Sequence, residues 1–262
     1  MWSATLIREA RLRAGLTQKE LAERSGRERS VIARWEQGAT APSLEALLEV
    51  IHACGFELPL ELAPHDDAAS ERLRENALLS PERRLQRLLE KTAAARPTFD
   101  PYALLAALER RRVSYVLIGS FARVLRGAEE TTNAVDLAPS LRGPNRKRLA
   151  QALADLGAKR VGKRPLPLDE EGLSAEPLLR LRSALGELGI VPEPAGTRAG
   201  YDDLRRAATG EPIGKGLRPS VASTADLARM LAALGRDVDL PKVHAMRRLN
   251  QLEHHLGHEL GL

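Results

Sequence analysis

Apolar positions along the first 55 residues recur at helical spacing and are broken at intervals by glycine, threonine and proline. Leu6, Ile7, Ala10 and Ala14 share one helical stripe, and Gly15 ends it where a left-handed residue is least costly. Thr17 stands as an N-cap with Glu20 three residues on, the pattern of a capping box, and Leu21 and Ala22 then turn inward. Gly26 in "SGRERS" permits a tight turn, after which a third helix is predicted from near Glu28, with Val31, Ile32 and Trp35 inward. "QGATAPS" breaks the pattern again, and Ser43 caps a fourth helix carrying Leu44, Leu47, Leu48 and Ile51. "GFELPLELAP" alternates polar and apolar positions, which predicts a short strand that closes the first domain or pairs with a second copy.

Residues 66–95 read as two connecting helices, the second with Ser80 as N-cap, Pro81 as its first residue and Leu85, Leu88 and Leu89 as an apolar stripe. From Pro97 helix and strand signals alternate: a helix in "DPYALLAALERR", a strand in "VSYVLIGS", a helix opened by Gly119 and Ser120, and a strand in "TTNAVDLAP". "NRKRLAQALADLG" is an amphipathic helix with Leu149, Leu153 and Leu156 inward, a strand is predicted from Leu185 to Val191, and a last helix turns Val243, Met246, Leu249 and Leu252 inward. His254, His255 and His258 lie near its end; 254 and 258 share a face, but no Cys or paired acid completes a zinc set, and a surface helix end is the plainer expectation.

Length and composition extend this picture in a few places. A chain of 262 residues with 43% hydrophobic and 29% charged residues suits two folded domains. Aromatics at 3% leave few rings for stacking bases, which argues against a single-strand-binding platform. The one cysteine, Cys54, excludes an internal disulfide and fits a buried residue in a reducing compartment. No apolar run is long enough to cross a bilayer and the start has no signal-like stretch, so a cytoplasmic location is expected. A net charge of +5 points to polyanionic partners, but residues 1–58 hold eight basic and eight acidic residues, so any DNA affinity there rests on the local patch from Lys19 to Arg34 and on a dimer.

Two helices joined by a short glycine turn inside a four-helix cluster form a helix-turn-helix arrangement. The stretch "GLTQKELAERSGRERSVIARWEQGATAPSLEALLEV" resembles the Xre and Cro/C1-repressor family in its "LTQ", "LA", turn glycine, "W-E-x-G" and "P-S". The resemblance implies DNA binding with the third helix in the major groove. On that helix Arg29, Ser30 and Arg34 project outward to base edges, arginine suiting guanine O6 and N7. Gln18 and Gln37 fall where phosphate or base contacts are made, and Thr17, Lys19 and Arg27 complete the expected DNA-binding set. Arg11 and Glu36 map to a structural pair.

Residues 113–140 resemble the nucleotidyltransferase fold, which carries "GG" or "GS", then Asp-x-Asp on the next strand and a third acid on a later strand. Two magnesium ions about 3.5–4 Å apart need bridging carboxylates. Here the Asp-x-Asp frame falls on Ala134, Val135 and Asp136, the third acid falls on Gly189, and the family's later lysine falls on Leu231. The expected site at Gly119, Ser120, Ala134, Asp136 and Gly189 is therefore degenerate, with no catalytic residue and no metal; Glu187 or Asp202 would have to substitute if it were live. Between Arg142 and Arg164 stand eight basic residues against Asp155 alone. Ser120, Arg146, Lys147, Arg160, Lys163 and Arg164 are accordingly candidate anion-binding residues for a nucleotide or another phosphate-bearing ligand.

The expected fold class is α+β: an all-α helix-turn-helix bundle over 1–62, a helical linker or dimerisation arm over 63–96, and a mixed-sheet nucleotidyltransferase-like α/β domain over 97–262. The expected function is a sequence-specific DNA-binding transcriptional regulator, a homodimer on a double-stranded operator, with no resident cofactor. Its degenerate second domain would serve dimerisation or ligand sensing. The alternative is a magnesium-dependent nucleotidyltransferase-type antitoxin with a toxin partner, autoregulating its operon; a third possibility is neutralisation of a toxin by contact.

Overall fold

The computed structural model describes residues 2–58, 60, 67–93, 98–162, 172–174 and 177–259. The chain divides into two compact units, Met1–His65 and Asp66–Leu262.

The first unit consists of α1 (Trp2–Arg13), α2 (Gln18–Arg24), α3 (Arg29–Glu36) and α4 (Leu44–Ala53). The local signals act as expected. Gly15 adopts φ +69°, the Thr17 hydroxyl accepts from the Glu20 amide (3.2 Å), and the Glu20 carboxylate accepts from the Thr17 amide (2.7 Å). Ser43 caps α4 through the Ala46 amide. Ile7, Leu21, Ile32 and Val50 are fully enclosed, each worth roughly 1.5–3 kcal/mol of burial, and Cys54 joins them as a free, buried thiol. Leu44, carried on the first turn of α4, stays exposed. Among the described residues of the predicted strand, 56–58 and 60 form none, because four helices offer a lone extended segment no sheet edge to pair with.

The second unit holds α5 (Asp67–Leu78), α6 (Pro81–Ala93), α7 (Pro101–Arg110), β1 (Tyr115–Ile118), α8 (Gly119–Leu125), β2 (Ala134–Pro139), α9 (Gly143–Asp155), β3 (Lys159–Arg160), β4 (Leu179–Ser183), β5 (Gly186–Ile190), α10 (Tyr201–Leu204), β6 (Thr209–Gly210), β7 (Ser220–Val221), α11 (Thr224–Ala233) and α12 (Leu240–Glu259). The strands form one sheet in the order β3-β4-β5-β2-β1-β7-β6. It is mixed: β1 runs antiparallel to β2 and parallel to β7, while β2 runs parallel to β5. All four residues of β1 are buried, so both faces of the sheet are covered at its centre, as a continuous apolar strand requires. The whole is α+β, a helical first unit followed by a mixed sheet with helices.

The stretch expected to form a connecting arm packs within the second unit. Leu73 of α5 and Leu85 and Leu88 of α6 belong to its hydrophobic core. Arg84 explains the attachment: its guanidinium donates to the carbonyls of Asn76 (2.8 Å) and Ala77 (2.7 Å) at the end of α5 and of Leu125 (2.5 Å) at the end of α8. One half-buried cation thus bonds to carbonyls at two helix C-termini, where a positive charge is also favoured by the helix dipole.

Candidate functional site

In the first unit, polar groups from three helices converge on Glu36. Arg11 of α1 donates to its carboxylate through Nε (2.6 Å) and Nη2 (3.0 Å), and through Nη1 to the Leu16 carbonyl (2.9 Å). Gln18, the first residue of α2, donates its amide to Glu36 Oε2 (2.9 Å). Burial opposes the charge on Glu36, yet the hydrogen bonds from Arg11 and Gln18 outweigh it and hold the carboxyl below the ordinary range. The sequence-expected pair is therefore a three-way junction that fixes α1, α2 and α3 together, and one amide hydrogen of Gln18 is committed to it.

The outer side of α3 is different. Arg29, Ser30 and Arg34 are exposed, and Ser30 donates to the Glu28 carboxylate (3.1 Å). Lys19 is exposed beside Glu23, Gln37 is exposed as the C-cap of α3, and the Thr17 side chain is occupied by its capping box. Arg27 turns inward: its guanidinium lies 5.1 Å from the centroid of the Trp35 ring and its Nη2 2.5 Å from Glu49 Oε2 of α4.

In the second unit, register partners Arg180, Gly189, Asp136 and Ile118 form a row across β4, β5, β2 and β1, so their side chains leave one face of the sheet. Lys159, Arg182, Glu187 and Ala134 form the next row on that face. Asp136 lies in a slot between two glycines. A Cβ on Gly119, whose φ is +70°, would fall 2.2 Å from Asp136 Oδ2, and a Cβ on Gly189 would fall 2.2 Å from Oδ1. Oδ1 is buried without a hydrogen-bond partner among the described residues. Burial raises the Asp136 carboxyl above the ordinary carboxylate range against the opposing pull of Arg180 and Arg123. Beside it the Ser120 hydroxyl donates to Thr132 Oγ1 (2.8 Å), and Arg123 forms a two-pronged pair with Glu130 (2.6 and 2.7 Å).

The magnesium pair that the nucleotidyltransferase resemblance implies does not fit this donor set. A lone carboxyl wedged between two backbones cannot bridge two divalent ions. Glu187 accepts from Arg182 (2.8 Å), and Asp202 accepts from Arg205 (2.9 Å) and Arg142 (3.3 Å). No group of three His, Cys, Asp or Glu among the described residues could hold a metal. Leu231 is buried in α11.

The anion candidates do not assemble into one cluster. Arg146 and Lys147 sit on α9, each with a polar or charged partner. Arg160 pairs with Leu181 and through it falls in the row of Leu188 and Val135, which leaves the opposite face of the sheet from Asp136. Lys163, Arg164 and the side chains of His254, His255 and His258 lie outside the described residues.

The helix-turn-helix family matches residues 7–60. A protein of Methanothermobacter thermautotrophicus named as an uncharacterized HTH-type transcriptional regulator is 49% identical over 53 residues, which cover 20% of this chain and 77% of that protein. The chain belongs to the helix-turn-helix family. The helix-turn-helix takes in the Glu36 junction, the exposed residues of α3 and the half-buried Arg27, while the Asp136 slot lies outside it. Within the helix-turn-helix the spacing of residues did not reveal that Glu49 holds Arg27, since the two are 22 positions apart. Outside it, Arg180 was missed although "LRLRS" alternates as a half-buried strand should, with Leu179 and Leu181 buried and Arg180 and Arg182 exposed.

Proposed function

We propose that this protein is a sequence-specific, DNA-binding transcriptional regulator. The observation that carries the proposal is the division of α3: Ile32 and Trp35 are locked into the core and Glu36 into its junction, while Arg29, Ser30 and Arg34 are exposed on the solvent side of a helix held by its neighbours. A major-groove reader needs that combination of a fixed helix and outward donors, and the helix-turn-helix membership and the named regulator relative support it. Lys19 and Gln37 flank this face and serve as phosphate contacts. Equal numbers of acids and bases over residues 1–58 leave a small local patch per copy, which favours a homodimer on a two-fold operator.

The second unit is, on this proposal, a nucleotidyltransferase-like domain that has given up catalysis and serves dimerisation or the sensing of a phosphate-bearing ligand. Its support is the strand, Gly119-Ser120 helix start and strand order, together with Ala134 and Gly189 at the acid positions.

A duplex recovered by the wild-type chain from a randomised pool provides the test. Arg29→Ala with Arg34→Ala is expected to abolish its retention in a gel-shift assay, each bidentate arginine–guanine contact being worth about 1–3 kcal/mol, with the circular dichroism spectrum unchanged. Retention equal to wild type would reject the assignment.

A further inference from the structure

Five basic residues lie between Lys19 and Arg34, and four of them, Lys19, Arg24, Arg29 and Arg34, are exposed. The fifth, Arg27, sits in the turn between α2 and α3. Its amide donates to the Ala22 carbonyl (2.9 Å), so the backbone is fixed as well. Its guanidinium packs over Trp35 from the last turn of α3 and pairs with Glu49 on α4, and its Nε is buried with no acceptor among the described residues. An arginine that holds a phosphate or a guanine presents two parallel N–H groups outward. Here the fork is turned toward a ring and a carboxylate of the protein itself, with only 26% of the side chain exposed.

We propose, resting on the duplex-reading role above, that Arg27 is a positioning residue. It clamps the recognition helix α3 to α4 and sets the angle at which Arg29, Ser30 and Arg34 meet the bases. It does not touch DNA. Cation–π contact holds α3 through Trp35, while the ion pair holds α4 through Glu49, so one side chain ties both helices to the turn that precedes α3. Glu49, itself largely exposed, is the other half of the clamp and holds Arg27 from α4.

The two possible roles of Arg27 predict opposite signs for Glu49→Gln. If Arg27 contacts phosphate, removing Glu49 frees a cation and deletes an acid, and binding to any duplex tightens. If Arg27 is a clamp, Glu49→Gln loosens α3, and affinity for the selected duplex falls while affinity for a random duplex stays the same. The experiment measures the full-length wild type, Glu49→Gln and Arg27→Ala by fluorescence anisotropy on a duplex selected from a randomised pool and on a scrambled duplex, each across a salt series. The expected result is a roughly tenfold fall in the selected-to-scrambled affinity ratio for both variants. The slope of log K against log salt should stay at its wild-type value in Arg27→Ala, because a lost phosphate contact would lower it by about 0.9. A tighter Glu49→Gln complex, or a slope reduced by about 0.9 in Arg27→Ala, overturns the clamp while leaving duplex reading intact. A folded wild type that enriches no duplex overturns duplex reading and the clamp with it.

Discussion

Replacing Gly189 by alanine tests whether Asp136 is held by its neighbours' lack of side chains. The added Cβ would lie 2.2 Å from Asp136 Oδ1 and 3.2 Å from its Cγ, against an ordinary contact of about 3.5 Å. The carboxyl has little room to swing away, because Oδ2 on its other side lies against the Gly119 backbone, equally close to where a Cβ would be. Overpacking of this kind costs about 1–3 kcal/mol. Alanine in a strand otherwise gains roughly 0.5–1 kcal/mol over glycine. In an Asp136→Ala background only that gain is left, so the sign of the same substitution should reverse. For a unit of this size each kcal/mol moves the melting temperature by about 2–4 °C, so overpacking less the alanine gain gives a net drop of up to roughly 10 °C for Gly189→Ala alone, and the gain by itself a rise of roughly 1–4 °C when Asp136 is already alanine. Calorimetric melts of the wild type, both single variants and the double variant measure the coupling directly. Equal destabilisation by Gly189→Ala in both backgrounds would refute the wedged-carboxyl account.

Asp136→Asn probes the same slot by pH: the folded carboxyl keeps its proton to higher pH than the unfolded one, so wild-type stability falls as pH rises from about 3.9 through the raised folded value. The asparagine variant should be the more stable chain at pH 7 in urea titrations, with the margin vanishing below about pH 4. Glu36 has the opposite sign, since its lowered carboxyl contributes stability above about pH 4.3 that is lost as pH falls through the folded value. Glu36→Gln should cost roughly 3 kcal/mol at pH 7 by leaving Arg11 uncompensated, and should flatten the acid limb of the first unit's unfolding followed by Trp35 emission. Arg84→Met should destabilise the second unit by roughly 3 kcal/mol in chemical denaturation, because three part-buried carbonyls lose a charged donor at once.

Where the determining interaction is local, the chain announces it. Gly15, the Thr17–Glu20 box and Ser43 act within four residues, and the helices they bound fall where the pattern puts them. The stripe of Leu85 and Leu88 was equally visible, but a stripe does not name the surface it will cover, and Arg84 reaches Leu125 from 41 positions away. The same distance problem hid Glu49 behind Arg27. Two-residue strands such as β3, β6 and β7 are too short to show any period, whereas β4 did show one. The sequence shows Asp136 without neighbouring acids at 134 and 189, while the slot depended on register, which pairs residue 136 with 189 and 118.

That register changes the meaning of the lone aspartate. Asp136 occupies its present position because residues 119 and 189 both lack a side chain, and its burial, its unpartnered Oδ1 and its raised proton affinity go with that slot. Positions 136 and 189 are therefore not independent: an aspartate introduced at 189 would drive Asp136 out of the slot before it could share a metal with it. The charges around the slot point the same way. Lys159, Arg180 and Arg182 leave the sheet on the face of Asp136, and the nearest other carboxylate in that pair of rows, Glu187, is already paired with Arg182. Even with Asp136 counted as ionised, three cations face two carboxylates in these rows, so this face carries a net positive charge that repels divalent cations and attracts anions. On the proposed reading, a ligand sensed by the second unit is thus an anion met by Arg180 and its neighbours without a bridging metal.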